Sequence, residues 1–177
     1  MALMIGIAAI QQLDIVEVAR LPLAELRDEF GQTVSLSIWG NLGPTVVRWL
    51  DGARPLLTDP KVGAVMPLLW STIGHVFLAY LPPNRTEAFI LSELRREGNS
   101  GQQVDRKRLQ TIANEVRRVG LAVREAPAGA SHGEVFQPTR AISAPIFRAD
   151  GRIEGVVTLV GSARAIDIEP QAPWRWR

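Results

Sequence analysis

Residues 63–82 read GAVMPLLWSTIGHVFLAYLP, and this stretch is the most informative in the chain. Pro67 opposes regular helix before it. Ser71 and Thr72 follow at positions where a hydroxyl can cap a helix that begins near Ile73. Apolar residues then recur every three or four positions, which is typical of a helix with one buried face: Ile73, Phe77, Leu78 and Leu81. The pattern predicts the floor of a ligand pocket, formed by a loop and a helix start.

The composition excludes several classes of protein. A chain of 177 residues is long enough for one domain with a single substantial core. Its 20 Lys and Arg residues, against 18 Asp and Glu, form no concentrated basic tract, so no nucleic-acid patch is visible. The absence of cysteine excludes disulfides, thiolate metal sites and thiol nucleophiles. With no GxSxG motif and no Ser-His-Asp spacing, we expect neither an enzyme nor a bound cofactor or metal.

The N-terminal segment predicts a helix over about residues 2–30, interrupted near residues 20–22. We interpret it as a linker or interface helix; a plain N-terminal core helix is the open alternative. The opening run MALMIGIAAIQQ is too short to span a bilayer and lacks the basic start and cleavage pattern of a secretory signal. These features predict a cytoplasmic protein without a membrane partner.

The rest of the chain predicts a mixed fold. Residues 33–39 alternate apolar and polar side chains, the period of a half-buried strand, and the turn at 41–44 leads into a second strand at 45–50. Asp150 and Gly151 form a favoured tight turn between two later strands. Further strands are predicted at 54–58, 121–124, 142–146 and 153–160, and helices at 84–97 and 105–118. This order predicts an α+β fold, a central antiparallel sheet flanked by helices.

Three segments in the same order resemble the effector-binding domain of IclR-type transcription regulators. They are residues 13–39, a long helix running into a glycine and a strand; residues 63–82, with their Gly, Pro-Leu and Gly spacing; and residues 115–123 followed by the closing hairpin at 142–165. The resemblance implies a GAF-like fold. It divides the chain into a linker or interface helix (1–30), an effector-binding domain (31–165) and an irregular tail (166–177).

The resemblance also implies where an effector would bind. In the family the pocket lies between the concave face of the sheet and the loop and helix start that follow the Pro-Leu motif. Carried over by position, the effector-binding residues are Leu56, Thr58, Met66, Trp70, Ser71, Thr72, Ile73, Arg124, Ala141, Ser143, Thr158 and Val160.

Two of these positions depart from the family pattern and change the expected ligand. Arg124 stands where the family often has an acidic residue, which favours an anion. Trp70 brings a large aromatic face where a small residue is common. Unpaired amides at the helix start would also favour a carboxylate. We therefore expect a small organic effector, a carboxylate or an aromatic molecule.

The resemblance implies further partners. Family members form homo-oligomers, so a dimer or tetramer is expected. They bind DNA through a winged helix-turn-helix domain, for which these 177 residues offer no candidate, so we expect no operator binding by this chain alone. A ligand-free dimerisation or interaction domain that pairs with other regulators remains the alternative function.

Overall fold

A computed structural model describes residues 15–53, 61–96, 106–126, 129–131, 134–136 and 138–166. The predicted strand at 54–58 lies outside these ranges, as do the first fourteen residues and most of the tail. The described residues form helices α1 to α5 and strands β1 to β7, in this order: α1 Ile15–Val18, α2 Arg20–Phe30, β1 Thr33–Gly40, β2 Gly43–Leu50, α3 Thr72–Tyr80, α4 Pro83–Arg96, α5 Arg106–Val119, β3 Ala122–Ala126, β4 Gly129–Ser131, β5 Glu134–Phe136, β6 Thr139–Phe147 and β7 Ile153–Ser162.

Five strands form one antiparallel sheet in the order β2-β1-β7-β6-β3, and β4 and β5 form a separate hairpin. The two predicted hairpins, β1–β2 and β6–β7, are present, and β1 pairs with β7 to join them. Gly43 and Gly151 have φ of 108° and 80°, a left-handed region that favours glycine in such turns. The predicted α+β fold with a central antiparallel sheet is confirmed.

Helix boundaries agree with the sequence to within one residue for α4 and α5. Helix α4 begins at Pro83, where the missing N–H of proline costs nothing in the first turn. Helix α5 is closed by Gly120, whose N–H donates to the Val116 carbonyl at 2.8 Å. Strand β6 begins three residues earlier than predicted, at Thr139, and this extension matters for the site.

Strand β1 is buried on both faces, so the interpretation of a half-buried strand was wrong. Its apolar residues Val34 and Leu36 are fully buried, but Ser35 and Ser37 are at most 2% exposed as well. The apolar face packs against α1 and α2 in one core cluster, with these buried members: Ala19, Leu23, Val34, Leu36, Ile142, Leu159 and Ile166. The hydroxyl-bearing face is covered by a second layer of helices, which the strand's own alternation cannot reveal.

Helix α3 supplies that second layer, with α4 and α5 packed outside it. Its Phe77 is 1% exposed and meets Trp39 edge-on, with ring centroids 5.5 Å apart. Burying a side chain of this size contributes about 1.5 to 3 kcal/mol. The buried members of this cluster are Leu68, Ile73, Val76, Phe77, Ala79, Ile90, Ala113, Val116, Ala122 and Val156.

The described part of the N-terminal segment packs on the domain itself. Ala19 keeps helical dihedral angles between α1 and α2, so the break at this point is slight. Leu23 is 3% exposed in the core, whereas Val18 and Leu21 remain more than half exposed. The segment therefore has one buried face and one apolar face left open. Among the described helices, none has the length and apolar character needed to cross a bilayer.

Candidate functional site

A cavity of about 360 Å³ lies between the sheet and the start of α3. All five strands of the sheet, the loop before α3 and the first residues of α3 contribute to its walls. The lining residues are Ser35, Val46, Trp49, Met66, Trp70, Ser71, Thr72, Ile73, Arg124, Thr139, Ala141, Thr158 and Val160.

The register of the sheet brings the strand residues together. Thr158 lies opposite Ser35 on one side and Ser143 on the other. One step along the strands, Ala141 lies opposite Val160 and Arg124. Paired residues of antiparallel strands point to the same face, and so do residues two apart on one strand. The floor of the cavity is therefore one continuous patch of the sheet.

Ser71 fixes the start of α3 at the cavity wall. Its hydroxyl oxygen accepts the N–H of Gly74 at 2.8 Å and donates to the Pro67 carbonyl at 2.6 Å. Of the two hydroxyls expected to cap the helix, Ser71 fills this role, and Thr72 bonds to the sheet instead. The first amides of the helix, at Thr72 and Ile73, have no carbonyl partner within it, so they need an acceptor from outside the helix, a role that a bound anion can fill.

The loop before α3 lies tightly against the helix. A methyl group on Gly74 would meet the Cα of Leu68 at 2.5 Å and would also overlap the Pro67 carbonyl, so glycine is required at this close approach. From the other side, the carboxylate of Glu93 on α4 accepts the backbone N–H groups of Leu68 and Leu69. The loop that carries Trp70 and Ser71 is thus fixed by both helices.

Three buried hydroxyls form a row of hydrogen bonds at the cavity. Ser143 donates to Thr72 across a distance of 2.7 Å and lies 2.8 Å from the Thr158 hydroxyl. Their residues are 0%, 4% and 2% exposed, respectively. Thr72 and Thr158 reach the cavity, whereas Ser143 lies beneath it. This row of hydroxyls links the start of α3 to the middle of the sheet.

Positive charge surrounds one side of the cavity. Arg124 is exposed on the edge strand β3, and it is the one charged residue among the described residues that line the cavity. The guanidinium carbon of Arg108 lies 5.4 Å from the ring centroid of Trp70, a cation–π distance. An anionic group would meet favourable potential here and no lining carboxylate from the described part of the chain.

His75 stands near these two arginines. Its Nε2 lies 3.0 Å from the Leu69 carbonyl and must carry the proton, because a carbonyl only accepts. Burial lowers the pKa of His75 from its ordinary value of 6.5; the Leu69 hydrogen bond opposes this effect, and the charges of Arg124 and Arg108 add to it. His75 is therefore mainly neutral at pH 7. Its side chain is partly buried between the loop before α3 and the first turn of that helix.

The remaining walls are apolar or aromatic. Trp49 is oriented by its indole N–H, which donates to the Asp51 carboxylate at 2.9 Å. The indole nitrogen of Trp70 is buried and has no acceptor among the described residues. Apolar walls with a few convergent polar groups are typical of sites for small organic molecules. No cluster of His, Asp and Glu suited to a metal occurs among the described residues.

The structure brings most of the predicted site residues around this one cavity. Nine of them line it: Met66, Trp70, Ser71, Thr72, Ile73, Arg124, Ala141, Thr158 and Val160. Ser143 lies beneath it, in contact with two of the nine. Leu56 and Thr58 lie outside the described residues.

Four lining residues were missed by the sequence reasoning: Ser35, Val46, Trp49 and Thr139. The alternation of polar and apolar residues along β1 indicated that Ser35 lies on the same face of the strand as Ser37, so Ser35 could have been found. Val46 and Trp49 depend on a register shift between Leu36 and Ser37 in the pairing of β1 with β2, and no local pattern shows it. Thr139 depends on the unforeseen extension of β6.

Comparisons with known proteins assign this architecture to a family. A family model described as "Bacterial transcriptional regulator IclR C-terminal" matches residues 7–171. The chain is 22% identical over 161 residues to an uncharacterized HTH-type transcriptional regulator, RhmR of Escherichia coli K12. The alignment covers 91% of this chain and 59% of that protein.

Solved structures agree with this match. The crystal structure of Pseudomonas aeruginosa HmgR is similar with a TM-score of 0.74 and 37% identity, over 97% of this chain and 65% of that chain. The Thermotoga maritima IclR structure shares the fold, with a TM-score of 0.67 and 18% identity over 94% of this chain and 64% of that chain. The 177 residues thus span about three fifths of the length of such relatives. The chain belongs to the IclR family of bacterial transcriptional regulators, and it comprises that family's C-terminal domain.

Proposed function

We propose that this domain senses a small organic anion, bound in the cavity between the sheet and the start of α3. One observation carries the proposal: the single charged residue among the described lining residues is Arg124, and the polar groups around it are hydroxyls and helix amides. The Arg124 guanidinium, the Thr72 hydroxyl and the first helix amides can each donate a hydrogen bond. A carboxylate accepts such bonds, and charge-assisted bonds are the stronger kind.

The walls and volume support a ligand of modest size. A volume of about 360 Å³ is near the lower end of the range of roughly 300 to 1,000 Å³ for small-molecule sites. Trp49 and Trp70 offer aromatic surface, and Val46, Met66 and Val160 offer aliphatic surface. A carboxylate on a single ring or a short apolar body fits these walls better than a sugar or a nucleotide.

We expect the domain to bind its ligand without catalysing a reaction. Bond cleavage would need a nucleophile beside a base, but the hydroxyls of Thr72, Ser143 and Thr158 bond to one another. The imidazole of His75 donates to the Leu69 carbonyl. Neither arrangement activates a nucleophile, so we infer a binding role and no enzymatic one.

The regulator is proposed to act as a homo-oligomer in the cytoplasm, a dimer or tetramer. Val18 and Leu21 keep an apolar face open on the N-terminal helices, which suits contact with a second copy. DNA contact is assigned to a helix-turn-helix domain distinct from this C-terminal domain. Light scattering across the micromolar range tests the first claim, and a monomer throughout would refute it.

Thermal shift measurements with a ligand panel test the sensor proposal. Small aromatic and aliphatic acids are compared with their uncharged amides, and native mass spectrometry identifies any molecule that co-purifies. We expect the melting temperature to rise with acids, and Ala141→Phe, which fills the cavity, to abolish that rise. If no acid shifts the wild-type protein while it still self-associates, the alternative of a ligand-free interaction domain is favoured.

A further inference from the structure

We propose that Ser143 determines ligand specificity by fixing the direction of the hydrogen bonds in this row of hydroxyls, so that Thr72 always offers its proton to the bound molecule. The proposal rests on the function proposed above and names the chemistry at one end of the site. The site would then select a group that accepts, such as a carboxylate, and reject one that can only donate, such as an ammonium. Ser143 would act through Thr72, without touching the ligand.

The number of protons on each hydroxyl determines which one donates to which. A hydroxyl has one proton to donate and two lone pairs that accept. Ser143 spends its proton on Thr72, at 2.7 Å. Its second bond, to Thr158 at 2.8 Å, must therefore be one that it accepts. Thr158 therefore donates to Ser143, and Ser143 donates to Thr72. The proton of the Thr72 hydroxyl is not used within this row.

The burial of Ser143 limits its hydroxyl to these two partners, and its donation to Thr72 sets their order. Ser143 is 0% exposed, so water cannot give it another partner. Turning its hydroxyl away would leave a buried polar group unsatisfied, which is costly. Thr72 receives the Ser143 proton and also lines the cavity. Its own proton is left for an acceptor in the cavity, beside the first amides of α3, so these donors can converge on one acceptor.

The Thr158 end differs in character. Thr158 has spent its proton on Ser143, so toward the cavity it offers lone pairs. The cavity is thus polarised, with donors at the start of α3 and an acceptor in the middle of β7. Hydrogen bonds in such a row strengthen one another. Without Ser143 the Thr72 hydroxyl would rotate freely, and the preference for an acceptor would weaken.

A double-mutant cycle on the full chain tests the proposal, with benzoate, phenylacetate and 3-phenylpropanoate as probes. Calorimetry measures the affinity of the most tightly bound of these acids for four proteins: wild type, Ser143→Ala, Thr72→Val and the double variant. We expect Ser143→Ala to weaken binding about threefold and Thr72→Val about tenfold, as for loss of one modest hydrogen bond. The double variant should bind no more weakly than Thr72→Val alone. Thr72→Ser, which keeps the hydroxyl, should bind like the wild type.

A second readout compares each acid with benzylammonium, which donates only. Ser143→Ala should narrow the ratio of acid to ammonium affinity, whereas a merely structural role would weaken both equally. Ser143→Cys has a slightly larger side chain and a weaker donor, and it serves if the alanine variant does not fold. Additive losses in the cycle, or an unchanged ratio, would overturn the proposal for Ser143. If the wild type binds none of the acids, the proposed function itself fails, and the two failures are thereby distinguished.

Discussion

The carboxylate of Glu93 on α4 accepts the backbone N–H of Leu68, in the loop before α3, at 2.5 Å. Its second oxygen accepts the N–H of Leu69 at 3.0 Å. One side chain thereby satisfies two amides of the loop that carries Trp70 and Ser71. The bond joins residues 25 positions apart, and it makes the geometry of the cavity wall depend on the position of α4.

Glu93→Gln tests this dependence. The glutamine oxygen can accept one N–H, but its NH2 group would face the other N–H, which would lose its partner. We expect the free energy of unfolding to fall by about 1 to 3 kcal/mol, the cost of an unsatisfied buried donor. Urea denaturation followed by circular dichroism measures the change.

Glu87→Gln provides the matched control on the same helix. Glu87 forms an exposed ion pair with Arg106, and such pairs contribute about 0 to 1 kcal/mol. Equal effects of the two variants would show that the Glu93 bonds do not hold the loop.

Trp70 gives a prediction that separates its aromatic face from its N–H group. The buried indole nitrogen has no acceptor among the described residues, so Trp70→Phe removes an unmet donor while it keeps an aromatic wall. We expect a change of less than about 1 kcal/mol in unfolding free energy, against a loss of about 3 kcal/mol for Trp70→Ala, the lower end of the range for tryptophan because Trp70 is only partly buried. Thermal and urea unfolding of both variants provide the comparison. Equal losses would mean that the N–H has a partner in the folded protein.

His75 predicts a pH dependence of stability. Its folded-state pKa lies below the ordinary value of 6.5, with burial as the main cause. The unfolded chain therefore binds more protons between the two pKa values, and stability rises with pH there. The contribution is fully present above about pH 6.5 and is lost as pH falls toward the lower, folded-state pKa.

Urea unfolding of wild type and His75→Gln from pH 5 to 8 tests this sign. The charged groups that act on His75 are Arg124 and Arg108. Wild type should lose stability relative to His75→Gln as the pH falls below 6.5. A parallel pair of curves would show that His75 does not titrate differently in the two states.

Local features of the sequence were sufficient for much of the fold. The cap at Ser71, the tight turn at Gly151 and the end of α5 at Gly120 each depend on residues within a few positions. Alternation within β1 separated its two faces correctly. It could not show that the polar face is also buried, because α3 covers that face from a distant part of the chain.

The candidate site was predictable where family resemblance carried it and unpredictable where long-range pairing decides it. Trp49 enters the cavity through the register of β1 with β2, which contains a shift after Leu36. Ser143 lies beneath the floor because it bonds to Thr72, 71 positions earlier in the chain. Pairings at such separations depend on the assembled sheet, so the sequence of either segment alone does not contain them.

Replacement of Arg124 tests whether the cavity binds a small organic anion. Isothermal titration calorimetry compares the tightest acid of the panel on wild type, Arg124→Leu and Arg85→Leu, the last an equal change of charge at an exposed position on α4. Because Arg124 is exposed, we expect the lower part of the range for a charge-assisted bond, about 1.5 kcal/mol or tenfold in Kd. We expect this loss for Arg124→Leu alone, and we expect it to shrink at high salt. Equal affinity in all three proteins would show that Arg124 does not bind the anion.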